Sequence, residues 1–532
     1  MHPKPVSMFL AVVLGVFVPS AVSAGTEVTS LAFTPDGTIL VAVSLDGSIV
    51  FWDVAKSAER LRVEAHKNGI YGMALSPDGK LLATAGGDRL VRLWDLKRIR
   101  EIHRLEGHEK VVVGVAFSPD SKMLASGGYD QTVRLWDCAS GKEVTKLQGH
   151  ELRVTSVAFS PDGKMLASGG IAMAEMPNFR GSTQGDKIRL WDPGSRRPIR
   201  QLPVRGHNVA FSPDGRTLVA AGMYLDFQLN GGGFTLDGGS RISLWDIERG
   251  KERLKIEEYW HAIVLSDDGR YLASGWGSRL HMGGLVMKGS KGKGIHLWEM
   301  ASGKEVLQIA VPEDHATALA ISPDGKKLAA GRQDGQADFW ELIPRSHLAK
   351  KPALNPDAKE LEKLWNDLAN NNPQTGYEAG WLLAELADKS VPFLKERMQP
   401  TPPLDARVGR WVADLDSKEF PVREAASQEL AKLAAQAAPL LRKALEGKPS
   451  PEMRRRVTAL LTHLPDRILQ PEELQRSRAL HLLEQIGNPP AQELLKKLAA
   501  GAPEADQTQE AQGALQRLTR RATKTMDLDT DN

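Results

Sequence analysis

A unit exemplified by Gly107 to Asp137, GHEKVVVGVAFSPDSKMLASGGYDQTVRLWD, returns seven times along this 532-residue chain and constrains its fold more than any other feature. The unit opens on Gly107-His108 and an apolar, β-branched run from Val111 to Phe117 that reads as a strand. Ser118-Pro119-Asp120-Ser121 then reverses the chain, because proline presets φ at the first corner and aspartate can bond its own backbone. A second strand is expected over Met123–Ser126, a third over Thr132–Asp137 and a fourth over Glu143–Gln148, leading into the next Gly149-His150.

Two markers count the copies. The turn recurs at Thr34-Pro35-Asp36-Gly37, Ser76-Pro77-Asp78-Gly79, Ser118-Pro119-Asp120-Ser121, Ser160-Pro161-Asp162-Gly163, Ser212-Pro213-Asp214-Gly215, Ser266-Asp267-Asp268-Gly269 and Ser322-Pro323-Asp324-Gly325. A third-strand tryptophan recurs as Trp52, Trp94, Trp136, Trp191, Trp245, Trp298 and Trp340, followed by Asp in the first five copies and by Glu299 and Glu341 in the last two. Four short antiparallel strands per copy is the size of one propeller blade. On these motifs the chain resembles the WD-repeat (Trp-Asp repeat) family from about Thr26 to Pro344, and the resemblance implies a seven-bladed β-propeller.

That resemblance also implies a buried polar network in each blade, carried over only where the residues match. In blade 2 it would join His66, Thr84, Asp88 and Trp94; in blade 3, His108, Ser126, Asp130 and Trp136. A hydroxyl, an imidazole and a carboxylate together suggest nucleophilic catalysis on paper. Buried polar groups must satisfy one another, so the expected role is structural and no catalytic residue is assigned. Blade 4 keeps His150, Ser168 and Trp191, with Asp186 one residue too close to the tryptophan; blade 7 has His315 and Asp334 but Ala330 in place of the hydroxyl. Blades 5 and 6 lack the aspartate at that spacing.

From turn aspartate to blade tryptophan the separation is 16 residues in blades 1, 2, 3 and 7, but 29, 31 and 30 in blades 4, 5 and 6. Three neighbouring blades therefore carry insertions between the second and third strands, on the face that the family uses for the Gly-His loops. The insertions combine glycine with Met173, Met176, Phe179, Tyr224, Phe227, Phe234 and Trp276, and with basic Arg180, Arg279, His281 and Lys288. Adaptable methionine and aromatic anchors on glycine-hinged loops suit a partner-binding surface; extended hairpins packing on themselves are the alternative. Gly284 to Lys291 lacks the Gly-Lys-Ser/Thr ending of a phosphate loop.

Residues 1–24 read as a secretory signal peptide, with His2 and Lys4 ahead of an apolar run from Val6 to Val18, then Pro19 and a small-residue site at Val22-Ser23-Ala24. The run is short for a membrane span, and no stable membrane insertion is expected once it is removed. The alternative keeps this segment, with residues near Phe17 to Ala21 placed where a fourth strand would precede blade 1. If the segment is lost, blade 7 must take its outer strand from the region after Trp340, such as Ser346–Ala353, or go without. The lone Cys138 allows no intramolecular disulfide and reads as a small packed residue beside a turn.

Beyond a basic, proline-containing linker at residues 345–356, the pattern turns helical over 357–521. Tyr377–Met398, Arg423–Leu445 and Ser477–Leu498 resemble one another, Leu386 preceding Pro392 and Leu433 preceding Pro439 by the same six residues. A helix, a break near proline and a second helix is the plan of HEAT-like α-solenoid repeats, which this region resembles. Arg454 to Arg456 and Arg520-Arg521 read as solvated helix faces. Asp527, Asp529 and Asp531 lack the glycine and closing glutamate of a calcium loop, so residues 522–532 are expected to be a disordered acidic tail.

A formal net charge of +3 gives no electrostatic case for nucleic acid as a partner. The expected function is a non-enzymatic, exported scaffold that needs no cofactor or metal and binds protein partners through the insertion-bearing face and the solenoid. The competing reading is a small-molecule or glycan-binding, hydrolytic propeller, for which Glu175, Asp226, Asp237 and His281 are the candidates. An intracellular scaffold follows if the N-terminal segment is retained.

Overall fold

The computed structural model describes residues 27–171, 187–230, 233–247, 249–257, 262–275, 294–311, 316–342, 356–403, 406–446, 449–462, 469–503 and 505–522, with the backbone alone over 223–230 and 233–240. The expected signal segment, residues 345–355 of the expected linker and the tail from 523 lie outside these residues. The chain divides into two compact units, one holding the strands and the other the helices.

The strand unit is a seven-bladed propeller. Blade 1 is formed by Val28–Phe33, Ile39–Ser44, Ser48–Asp53 and Ala58–Glu64, paired in that order and antiparallel throughout. Blade 2 repeats it with Ile70–Leu75, Leu81–Gly86, Val91–Asp95 and Arg100–Leu105, and blade 3 with Val112–Phe117, Met123–Gly128, Val133–Asp137 and Glu143–Leu147. Blades 4, 5 and 6 begin at Arg153, Asn208 and Ala262 and are also four-stranded. Blade 7 consists of Ala318–Ile321, Lys327–Gly331 and Ala337–Glu341, three strands among the described residues. The segments proposed to supply its fourth strand are not among them.

The repeat tryptophans of blades 1 to 4 plug the space between blades. Trp136 is 1% exposed and packs with Ala83, Val91 and Leu93 of blade 2; Trp94 packs with Ile39, Val41 and Phe51 of blade 1. Burying so large a ring dominates the local energetics. The ring closes in the same way, since Trp52 of blade 1 packs with Ala318, Ala320 and Ala329 of blade 7. Thr317 Oγ1 donates to Val28 O at 2.6 Å, and Val28 N donates to Arg332 O at 3.1 Å. Closure between blades 7 and 1 is thus made by their inner strands.

The Ser-Pro-Asp-Gly turns explain themselves chemically. In blade 2, Ser76 Oγ donates to Asp78 Oδ1 at 2.7 Å and accepts from Leu81 N at 2.8 Å, while Asp78 Oδ1 accepts from Lys80 N at 3.1 Å. Gly79 takes φ +71, the left-handed conformation that favours glycine. These turns also touch from blade to blade: a methyl group on Gly79 would lie 3.4 Å from Pro35, and one on Gly163, 3.6 Å from Pro119. In blade 3 the contact is polar, with Ser121 Oγ accepting from Asp78 N at 3.3 Å. A methyl group on Gly325 would meet nothing within 4 Å among the described residues, because the preceding turn has Asp267 where the others have proline.

The helical unit has ten helices among the described residues: α1 (Ala358–Leu368), α2 (Pro373–Glu385), α3 (Ala387–Arg397), α4 (Ala406–Asp414), α5 (Phe420–Lys432), α6 (Ala434–Glu446), α7 (Pro451–Thr462), α8 (Pro471–Ile486), α9 (Pro489–Ala499) and α10 (Asp506–Ala522). Asp357 and Glu360 form a capping box at α1, and Asn372 and Asn488 cap α2 and α9 ahead of a proline in the first turn. The breaks expected at Pro392 and Pro439 fall earlier, at Leu386 and Leu433, where the backbone leaves helical geometry. Both prolines lie inside the helices that follow, so they do not make the break.

Two cores hold this unit. One joins α1, α2 and α3 to α8, α9 and α10; the other is built by α4 to α7. The similar segments Tyr377–Met398 and Ser477–Leu498 pack on each other, α2 on α8 and α3 on α9, so the helical pairs nest rather than stack in chain order. Arg517 grips the buried Glu484 through two bonds of 2.8 and 2.7 Å, and Arg478 Nη1 donates to Leu368 O and Asn370 O at the end of α1. Among the described residues no helix is long and apolar enough to cross a membrane.

Candidate functional site

The antiparallel order of each blade puts the connection between its second and third strands beside the loop that enters its first strand. In blade 2, His66 from the entering loop has Nδ1 2.8 Å from Asp88 Oδ1 and Nε2 2.8 Å from Thr84 Oγ1. Trp94 Nε1 donates to the same hydroxyl at 3.0 Å. Since the indole can only donate, the Thr84 O–H is free to donate to Nε2, which leaves Nδ1–H to the carboxylate. Blade 3 repeats the chain with His108, Asp130, Ser126 and Trp136, the last two 2.8 Å apart.

The environment is that of a staple. Thr84 and Ser126 are fully buried, and each hydroxyl is held between an indole and an imidazole. Burial pushes the His66 imidazole below its ordinary value, outweighing the opposing Asp88 hydrogen bond. For Asp130, burial alone would raise the carboxyl. The hydrogen bond and charge of His108, with bonds from Glu109 N and Thr132, outweigh that and hold it well below the usual carboxylate range. All eight network residues therefore meet in two four-membered chains of hydrogen bonds. Cys138 likewise is buried, its thiol pushed up to about 12 by burial and by nearby aspartates.

Other blades keep part of the arrangement. His150 Nε2 lies 2.6 Å from Ser168 Oγ, which also accepts from Trp191 Nε1 at 2.7 Å, and Trp298 Nε1 donates to Ser274 Oγ at 2.9 Å. Sequence reading missed a second tie. The residue two before the tryptophan bonds the acid seven after it: Arg92 to Glu101 at 2.7 Å, His296 to Glu305 at 3.0 Å, and likewise Arg134 to Glu143 and Ser243 to Glu252. The recurring glutamate at one offset was the available signal. It was invisible as chemistry because its partner changes from arginine to serine to histidine.

Of the insertion residues, Met173, Met176, Phe179, Arg180, Trp276, Arg279, His281 and Lys288 lie outside the described residues, as do Glu175, Asp186 and His315. The blade 5 insertion is a hairpin of Thr217–Asn230 and Gly233–Asp246, paired without interruption from Thr217↔Asp246 to Asn230↔Gly233. Its register sets Phe227 opposite Leu236 and Phe234 opposite Leu229, on one face of the ribbon. Tyr224 falls on the other face, with Asp226 directly opposite Asp237.

The WD domain, G-beta repeat family matches residues 19–53, 58–95, 99–137, 141–192 and 306–341, which fall on blades 1 to 4 and 7. The chain is 30% identical to Protein groucho of Drosophila melanogaster over 168 residues, 29% of this chain and 19% of that protein. It is 29% identical over 183 residues to Nuclear distribution protein PAC1 of Arthroderma benhamiae and to that of Trichophyton verrucosum, 31% of this chain and 36% of each relative. The chain thus spans about a fifth to a third of the length of the curated relatives it matches. Residues 28–341 are thus a seven-bladed β-propeller in which blades 1 to 4 and 7 match the WD40 repeat, followed by a helical region over 358–522.

Proposed function

We propose that this protein is a non-enzymatic scaffold, exported from the cytoplasm, that captures protein partners on the propeller face carrying the insertions of blades 4 to 6 and through its helical unit. The observation that carries the reading is the staple geometry. The side chains that look catalytic are consumed in buried bonds between strands, leaving the loops to present chemistry to the outside. The long blade 5 hairpin supports the choice of face, since it continues the sheet well past the blade and carries Phe227 and Phe234 on one side. Shortening the three insertions to two-residue turns should leave the propeller folded and abolish capture of the native partner. Full capture by the shortened chain refutes the choice of face.

Export rests on the charged start, apolar run and small-residue site of residues 1–24. A second reading is favoured by the family match beginning at residue 19, inside that segment. There the N-terminus stays with the propeller and the scaffold works inside the cell. N-terminal sequencing of the protein from its host, with its cellular fraction, separates them: a start at Gly25 outside the cytoplasm supports export, and an intact Met1 in the cytosol overturns it.

A further inference from the structure

Four blades build one turn between their second and third strands. Asp46, Asp88, Asp130 and Asp334 each accept, through Oδ1, the N–H of the residue two further on, at 2.8, 3.2, 3.2 and 3.1 Å. The residue in between is left-handed in every case. Blades 1 and 7 put glycine there, Gly47 at φ +87 and Gly335 at φ +82; blades 2 and 3 put Arg89 at φ 71 and Gln131 at φ 65. A side chain in that conformation carries backbone strain that glycine avoids. Both are exposed, on neighbouring blades of the loop-bearing face.

Their surroundings share a character. Lys67, Arg89 and Lys110, on the loops of blades 2 and 3, are exposed and make no ion pair among the described residues. The nearby Glu109 carboxylate lies 3.8 Å from Lys146. Beside them the Arg153 guanidinium stands 4.8 Å over the Tyr129 ring, and Tyr71 occupies a bulge at the start of the first strand of blade 2, an irregularity that re-aims a side chain.

We propose that the blade 2 and blade 3 loops are a docking site for an acidic, extended protein segment bearing an aromatic residue. Lys67, Arg89 and Lys110 pair its carboxylates, Gln131 bonds its backbone, and Tyr71, Tyr129 and Arg153 take the aromatic ring. The proposal rests on the reading that this face captures protein, and it places the charge-reading half of the face away from the insertions. Three cations beside two tyrosines suit a short peptide better than nucleic acid, whose binding scales with the number of phosphates neutralised.

The test uses the full chain and a labelled nine-residue peptide of glutamates and serines around one tryptophan, followed by fluorescence anisotropy at low and high salt. Wild type should bind it, more weakly at high salt. Arg89→Gly should weaken binding at least fivefold while leaving the melting temperature equal or higher, because the strain is gone. Gln131→Gly should act the same way to a smaller degree. No binding by wild type, or unchanged binding by Arg89→Gly, overturns the proposal, as does a labelled oligonucleotide that outcompetes the peptide. The chain with shortened insertions should bind the probe as wild type does. If it loses the probe while Arg89→Gly keeps it, the site belongs to the insertions and this proposal falls alone.

Discussion

In blade 3 the Trp136 indole N–H donates to Ser126; in blade 5 the Trp245 indole N–H is buried with no acceptor among the described residues, because Ala220 stands where the hydroxyl would be. Both rings are nonetheless buried, at 1% and 6% exposure. Ring burial is the near-constant of the repeat, relaxed only at the half-buried Trp298 of blade 6, and the polar staple is its variable part. Blades 1 and 7 agree, with Ala42 and Ala330 at the same register position.

If that division is right, removing the constant should hurt most. Trp136→Ala should destabilise the protein by roughly 3–5 kcal/mol, seen as a lower denaturant midpoint, because a filled space between blades 2 and 3 is emptied. An unchanged midpoint would remove the plug reading. Ser126→Ala keeps the ring but leaves Trp136 Nε1 and His108 Nε2 without their shared partner, and should cost about 1–3 kcal/mol. A cost equal to that of the tryptophan would mean that staple and plug are not separable. The reverse change, Ala220→Ser, should give the Trp245 N–H its acceptor and add about 1 kcal/mol. A loss there would show that blade 5 has repacked around alanine.

The smallest effect concerns pH. The folded His66 pKa is lowered from 6.5, so below pH 6.5 the unfolded chain takes up protons more readily, and stability falls as the pH falls. Asp130 is lowered from 3.8, so its contribution is present above that value and is lost below it. Urea midpoints at pH 7.5 and 5.5 should drop for wild type by more than for His66→Gln, whose side chain does not titrate. Equal drops would assign the slope to other groups.

The repeat was legible because its markers are chemical necessities of one turn and one plug. Pro35 and Gly79, or Ser76 and Asp78, cannot be exchanged for many other residues without losing the contacts they make. The tetrads of blades 2 and 3 were legible for the same reason. The helical unit was legible only as helices. Leu386 and Leu433 break their segments with no residue that demands it, and nothing in an alanine- and leucine-rich pattern says that Tyr377–Met398 packs on a segment a hundred residues later. The left-handed Arg89 and Gln131 escaped notice because sequence marks such a position only when glycine fills it.

The bond from Thr317 to Val28 spans 289 positions of chain, and it sets the order in which the molecule can be made. A solenoid can settle repeat by repeat as it is synthesised, but here the first blade keeps one flank of Val28–Phe33 uncovered until Ala318–Ile321 exists. At ordinary translation rates of 5–20 residues per second, that interval is roughly 15–60 s. Through it the nascent chain carries an unmatched apolar flank, which makes the early blades a natural client for chaperones and makes ring closure a late, slow event of high contact order.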